Sequence, residues 1–162
     1  IRGDILMALS NKFGWMVLST GNKTELALGY CTLYGDMSGG LSVISDLSKT
    51  DVYTLANWIN SKYPERIPIG SIKKPPSAEL APNQVDPFDY DIVSPLVDLI
   101  IEEGKTVIQL GELGIDKELV NLVYQKIRVS EYKRRQAAPG LRVSTKAFGI
   151  GRRFPIVNHF KN

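Results

Sequence analysis

Trp15-Met16-Val17-Leu18-Ser19-Thr20-Gly21-Asn22-Lys23-Thr24-Glu25 is the stretch on which the fold turns. Trp15 to Leu18 is a short continuous apolar run, the pattern of a strand buried on both faces, and Ser19, Thr20 and Gly21 close it with a turn. Asn22 then stands as a helix cap with Glu25 three positions on, the spacing of a capping box. Leu26, Ala27, Tyr30 and Leu33 give the helix that follows an inward stripe. Just upstream, Ile5, Leu6, Leu9 and Phe13 recur at helical spacing over 4–13, and Gly14 follows where a left-handed helix end is convenient. Helix, strand, turn, helix is the rhythm of an α/β protein.

Working outward, the glycine-rich stretch 35–40 is expected to break the second helix, and Leu41, Val43 and Ile44 suggest a short strand. Ser48 caps another helix whose Val52, Leu55, Ala56 and Ile59 supply a core face. Seven of the nine prolines fall in 63–95, which reads as a long irregular loop, the kind that covers a site or links two parts. Helices are expected over 96–103, 106–113 and 116–136, the last broken near Ser130. The resulting organisation is an α/β nucleotide-fold part at 1–62, a proline-rich site loop at 63–95 and a helical, basic tail at 96–162, without internal repeats.

The chain has 162 residues, 43% hydrophobic and 23% charged, which fits one globular domain and excludes wholesale disorder, a collagen repeat and a coiled coil. No apolar run is long enough to span a bilayer, and the opening residues lack the basic start and cleavage site of a signal peptide, so a cytoplasmic protein is expected. With Cys31 the only cysteine, an internal disulfide cannot form and a cysteine cluster for zinc is absent. A chain that begins at Ile1, without Met and directly in a helix, reads as a piece of something longer. Its net charge of +3 hides a division: residues 1–125 carry −6, whereas 126–162 carry ten basic residues against Glu131 alone, or +9. Charge of one sign at that density seeks a phosphate-bearing ligand, a nucleic acid or an acidic partner, unless it is simply a solvated face.

Several motifs admit a chemical and a bland reading. The 19–25 turn lies at the carboxyl end of a strand, where α/β sheets bind ligands; Thr20 offers a hydroxyl and Glu25 a carboxylate for a hard cation, although a capping box alone also explains Glu25. Ser38-Gly39-Gly40-Leu41-Ser42 imitates the SGGxDS phosphate loop of ATP pyrophosphatases but follows a helix and carries Ser42 where that loop needs Asp, so its glycines serve a sharp turn. Lys49 sits in the first turn of a helix, where the dipole opposes a cation; a shared phosphate would explain it, as would plain solvation. Lys73-Lys74-Pro75-Pro76-Ser77-Ala78-Glu79-Leu80 is a stiffened loop presenting two cations and a hydroxyl. Asp86, Asp89 and Asp91 match no calcium loop and read as solvated. Cys31 reads as core, and His159, the sole histidine, has no triad context. In the tail, paired arginines alternate with glycines, a pattern suited to phosphate oxygens; nucleic-acid binding is the rival, but no RNA-binding signature or zinc finger is present.

Taken in order, LMALSNK, STGNKTELALGYCTLYGDMSGGL, SKTDVY, KPPSAEL, SEYKRRQAAPG and KAFGIGRRFPI resemble the later part of NAD synthetase, and KPPSAEL with KAFGIGRR is closer to the glutamine-dependent branch. The resemblance covers nearly the whole chain. It implies a doubly wound ATP-pyrophosphatase (adenine nucleotide alpha hydrolase-like) fold lacking its first strands, followed by a mostly helical segment. It also implies a ligase that uses ATP and Mg²⁺ to adenylate deamido-NAD, then lets ammonia displace AMP to give NAD. Thr20 matches an ATP-contacting threonine, Lys49 a lysine on ATP phosphate, and Ser77 a loop hydroxyl that assists ATP and metal; Lys49 and Ser77 are the implied catalytic groups. Glu25 matches an acidic residue near the metal and the dinucleotide. Arg2, Tyr30, Cys31, Thr32, Leu33, Asp36, Lys146, Arg152 and Arg153 fall on positions beside deamido-NAD, Leu33 standing where ammonia-dependent members have lysine. The SGGxDS loop and the glutaminase domain that supplies ammonia would lie upstream of Ile1, so the chain alone is expected to make no NAD, and a homo-oligomer is expected. Another ligase of the same fold and a basic-tailed nucleic-acid or partner-binding module are the alternatives.

Overall fold

A computed structural model describes residues 1–78 and 81–157. Glu79 and Leu80 of the proline-stiffened loop, and His159, lie outside the described residues. The elements run α1 (Arg2–Phe13), β1 (Leu18–Ser19), α2 (Lys23–Leu28), β2 (Leu41–Ser42), α3 (Lys49–Lys62), α4 (Ile69–Lys73), α5 (Tyr90–Ile101), α6 (Val107–Glu112), α7 (Lys117–Val129) and α8 (Glu131–Arg134). β1 and β2 pair in parallel, Leu18 opposite Leu41 and Ser19 opposite Ser42, so the chain is a helix-rich α/β protein with a small parallel sheet. Gly39 makes that pairing possible: a side chain there would meet Ser19 N and Val17 O at 2.9 Å. Among the described residues no helix is long and apolar enough to cross a membrane.

The core is helical. Ala27 and Leu28 of α2, Val93, Leu96, Val97, Ile100 and Ile101 of α5, Leu110 of α6, and Val120, Val123 and Ile127 of α7 form one buried cluster. The helices begin on local start signals. The Asn22 side chain accepts from Glu25 N while Glu25 reaches back to Asn22 N, Thr106 and Gln109 form the same reciprocal box on α6, and the Ser48, Asp89 and Asp116 side chains each accept from a first-turn backbone N–H of α3, α5 and α7.

Several expectations are corrected. The strand expected over 15–18 is only Leu18–Ser19, with Trp15 61% and Met16 68% exposed, because one neighbouring strand cannot cover both faces of the run. The α1 stripe of Ile5, Leu6, Leu9 and Phe13 is likewise exposed. α2 stops at Leu28, since Gly29 turns left-handed (φ 67°), which takes Tyr30 and Leu33 out of the helix and into the loop beyond. α3 forms as expected but buries none of its residues fully. The 63–95 stretch is not wholly irregular: α4 lies inside it, and α5 starts at Tyr90 and carries Pro95 in its interior. Proline there removes one backbone donor, and burial of the surrounding apolar face outweighs that loss. α7 and α8 divide at Ser130, where the break was expected.

Candidate active site

α2, α3 and α5 converge through one hydroxyl. Thr24, fully buried, shares a hydrogen bond with Ser94 of α5 (3.0 Å) and accepts from the backbone N–H of Lys49 at the start of α3 (3.1 Å). That junction sets Glu25 and Lys49 on adjoining helix starts, and they pair: Lys49 Nζ lies 2.8 Å from Glu25 Oε1 and 5.3 Å from the centre of the Tyr90 ring. Glu25 Oε2 meanwhile accepts from Asn22 N (3.2 Å), so the cap and the charged-site readings of this residue hold together.

Glu25 and Lys49 form part of the wall of a cavity of about 530 Å³. The β1–α2 turn contributes Thr20 and Glu25, and the loop after α2 contributes Gly29, Tyr30, Cys31, Thr32 and Asp36. Lys49 comes from α3, Arg2 from α1 and Lys133 from α8; Ser77, Ala78, Gln84 and Asp86 come from the proline-rich loop. Nine residues singled out from the sequence, namely Arg2, Thr20, Glu25, Tyr30, Cys31, Thr32, Asp36, Lys49 and Ser77, therefore share one cavity although 75 positions separate the first from the last. Leu33, Lys146, Arg152 and Arg153 are not among its lining residues. Arg152 stacks over Phe154 (5.0 Å), and Arg153 Nε donates to the Gly149 carbonyl (2.7 Å).

Local contacts tune the wall. Asp36 accepts from Thr32 N (2.9 Å) and lies 3.6 Å from the Arg2 guanidinium, which shapes the loop after α2. Lys133 donates to the carbonyls of Gly29 and Cys31, both at 2.7 Å, closing the carboxyl end of α2 with a cation that the dipole favours. Burial pushes the Cys31 thiol up to about 11, with Lys133 opposing, so it is a neutral wall group. Tyr90 and Tyr30 are held above the ordinary phenol value, burial first and the Asp86 carboxylate second, so both keep their protons.

Sequence reasoning missed Gln84, Asp86 and Lys133. Lys133 stands in the basic SEYKRR stretch, whereas Asp86 reads as solvated from its spacing: only the loop's path brings it to the cavity, and no local spacing encodes that path. The tail also departs from expectation, because much of its charge is matched internally. Arg134 is buried, pairs with Glu131 (3.1 Å) and donates to the carbonyls of Leu26, Ala27 and Ile127. Phe148 and Phe154 stack on it, 4.6 and 5.7 Å from the guanidinium. Arg135 also pairs with Glu131 (2.7 Å). Carbonyls and a carboxylate thus offset charge that would otherwise call for an external anion.

The arrangement can hold a polyanion against Lys49 and Lys133, and it offers hydroxyl and carboxylate oxygens to a hard cation. Among the described residues no group of three or more His, Cys, Asp or Glu could hold a metal by itself. Mg²⁺ does not need one, since it is commonly bound through one or two carboxylates plus substrate phosphates and water, and Glu25 with the Ser77 hydroxyl is a donor set of that kind.

An α/β chain with such a cavity belongs to a recognisable class: the family model described as NAD synthase matches residues 1–137, and the chain belongs to that family. It is 52% identical to the glutamine-dependent NAD(+) synthetase of Thermotoga maritima over 165 residues, 99% of this chain and 29% of that protein. It is 48% identical to the glutamine-dependent NAD(+) synthetase of a Synechocystis strain over 163 residues, again 99% and 29%. The chain thus spans less than a third of these relatives. Two solved structures share the fold: a glutamine-dependent NAD(+) synthetase from Cytophaga hutchinsonii (TM-score 0.77, 21% identity, 98% of this chain and 27% of that one) and an NMN synthetase from Francisella tularensis (TM-score 0.64, 22% identity, 88% and 52%).

Proposed function

We propose that this chain is part of the synthetase domain of a glutamine-dependent NAD synthetase of the ATP-pyrophosphatase fold, and that its cavity holds ATP and deamido-NAD together. In that reaction the nicotinate carboxylate of deamido-NAD attacks the α-phosphorus of ATP, pyrophosphate leaves, and ammonia released from glutamine displaces AMP to give NAD. The observation that carries the reading is the single cavity shared by Thr20, Glu25, Lys49 and Ser77 with Arg2, Tyr30, Cys31, Thr32 and Asp36.

The first set serves ATP. Lys49 contacts the phosphates and offsets the charge of the departing pyrophosphate, with Thr20 and Ser77 orienting the chain of phosphates through their hydroxyls. Glu25 and Ser77 would hold Mg²⁺, which supplies further neutralisation of the triphosphate when bound. The second set seats the dinucleotide so that its carboxylate meets the α-phosphate, and Lys146, Arg152 and Arg153 serve it from the tail. Before the substrates bind, Glu25 and Lys49 neutralise each other, which keeps an unmatched cation and an unmatched anion out of a half-buried site.

In the complete enzyme, Lys49→Ala is expected to cut turnover by at least ~100-fold, as loss of a phosphate-stabilising charge should. Turnover unchanged in steady-state assays of NAD formation would remove Lys49 from the site.

A further inference from the structure

Thr24 and Ser94 set two hydroxyls where α2 packs against α5, both without exposed surface and 3.0 Å apart. A hydroxyl pair alone could be replaced by apolar groups of the same shape at little cost. What an apolar pair could not do is accept from Lys49, whose backbone N–H donates to Thr24 Oγ1 at 3.1 Å. That N–H is the first of α3, one of the donors a helix cannot satisfy internally, and the Ser48 hydroxyl that caps the helix is already engaged with Asp51 and Thr50. Lys23 N donates to the Leu47 carbonyl (2.8 Å) just before it. α2 thus holds the approach to α3 through its backbone, and the first residue of α3 through one side chain.

Thr24 itself does not line the cavity, whereas Lys49 does, its ammonium 2.8 Å from Glu25 on the wall. Anything Thr24 does for the site it does through the residue whose backbone it holds. We propose that Thr24, steadied by Ser94, is a positioning residue that fixes the first turn of α3 so that the Lys49 ammonium meets the phosphates of ATP. The inference rests on the synthetase reading of the cavity and on the role given there to Lys49.

Thr24→Val in the complete enzyme keeps the shape and removes the acceptor, while the backbone bond from Lys23 to Leu47 stays. The expected result is a kcat lowered about 10- to 100-fold, the range that misplacing a reacting group by about 1 Å commands, with the KM for deamido-NAD within about threefold of wild type. Thr24→Ser, which keeps the hydroxyl, should retain most of the wild-type kcat. The same Thr24→Val change is then made in a Lys49→Ala background, where the ammonium is gone and the further loss should be less than about twofold. Equal losses in the two backgrounds would show that Thr24 supports the fold at large, and they overturn the proposal. So does a kcat that Thr24→Val leaves unmoved, or one that Thr24→Ser lowers as far as Thr24→Val. Should Thr24→Val fail to fold, Ser94→Ala takes its place in both backgrounds: it frees the Thr24 hydroxyl to turn from Lys49 N, and an unmoved kcat or equal losses overturn the proposal again. Wild-type enzyme that makes no NAD would sink the synthetase reading itself, and turnover indifferent to Lys49→Ala would sink that residue's role, whereas equal losses beside an active, Lys49-dependent wild type sink only the part given to Thr24.

Discussion

The ammonium of Lys49 sits at the amino end of α3, the end at which the dipole disfavours a cation, and the Glu25 carboxylate at 2.8 Å with the Tyr90 ring at 5.3 Å offsets that cost. The misplaced charge was legible in the sequence. Its partner was not, because Glu25 lies 24 positions away and already had a sufficient local explanation as a cap. Cys31 was legible only as an apolar residue; the fold puts it in the cavity wall, where burial lifts its thiol from 9.0 to about 11. Its thiolate is correspondingly scarce near neutrality, and alkylation by iodoacetamide at pH 8 is expected to run roughly 100-fold slower in the folded than in the denatured protein. Mass-spectrometric rates that match in the two states would place Cys31 in open solvent instead.

At the scale of elements, boundaries followed their punctuation wherever a cap or a glycine acted locally. Asn22, Ser48 and Gly14 stand where expected, and Ser130 divides the last two helices. Gly29 was overlooked because apolar spacing ran on past it to Tyr30 and Leu33. It is more than a stop: at φ 67° a side chain would be strained, and a Cβ would also approach Ser130 Cβ to 2.7 Å. Gly29→Ala should therefore destabilise the protein by about 1–3 kcal/mol, with partial recovery in Gly29→Ala/Ser130→Gly, measured by denaturant midpoints. Proline density hid only the first half of α5, Tyr90–Pro95; the rest falls in the helix expected over 96–103, and its apolar residues make up much of the core. Leu96→Ala there should cost about 2–5 kcal/mol, a loss that a surface residue of α5 such as Asp91 would not reproduce on substitution by Ala.

Across the whole molecule, Lys23 joins parts that no sequence window relates. It is 1% exposed, and its Nζ lies 2.8 Å from Asp98 and 2.5 Å from Glu102 of the α5 end. Glu102 Oε2 then accepts from Thr145 N (3.2 Å) and its hydroxyl, while Asp46 accepts from Val143 N and Ser144 N, both at 2.7 Å. Burial alone would lower the Lys23 value, but the two carboxylates outweigh it and hold it above the ordinary lysine range. For Glu102, burial works upward and is outweighed by Lys23 and Thr145, which hold the carboxyl below its ordinary value. The Glu102 contribution is thus full above its unfolded value of about 4.3 and fades as pH falls through the lower folded one. The stability difference between wild type and Glu102→Gln should accordingly narrow below about pH 4. Lys23→Met, which strands two acids, should cost about 3–5 kcal/mol near neutrality. A pH-independent Glu102→Gln difference would show that the carboxylate's charge contributes nothing.

Arg134 gives the basic tail a second significance. One guanidinium terminates α2 and α7 through their carbonyls and is in turn roofed by Phe148 and Phe154, while its neighbour Lys133 holds the carbonyls of Gly29 and Cys31, so the segment that follows α8 and the loop that leaves α2 are tied to one short helix. Order in one implies order in the other. Amide exchange at Tyr30, Cys31 and Thr32 should then quicken in step when the aromatic roof is lost, as in Phe148→Ala. A change made far along the chain, outside the cavity, would be felt at its floor.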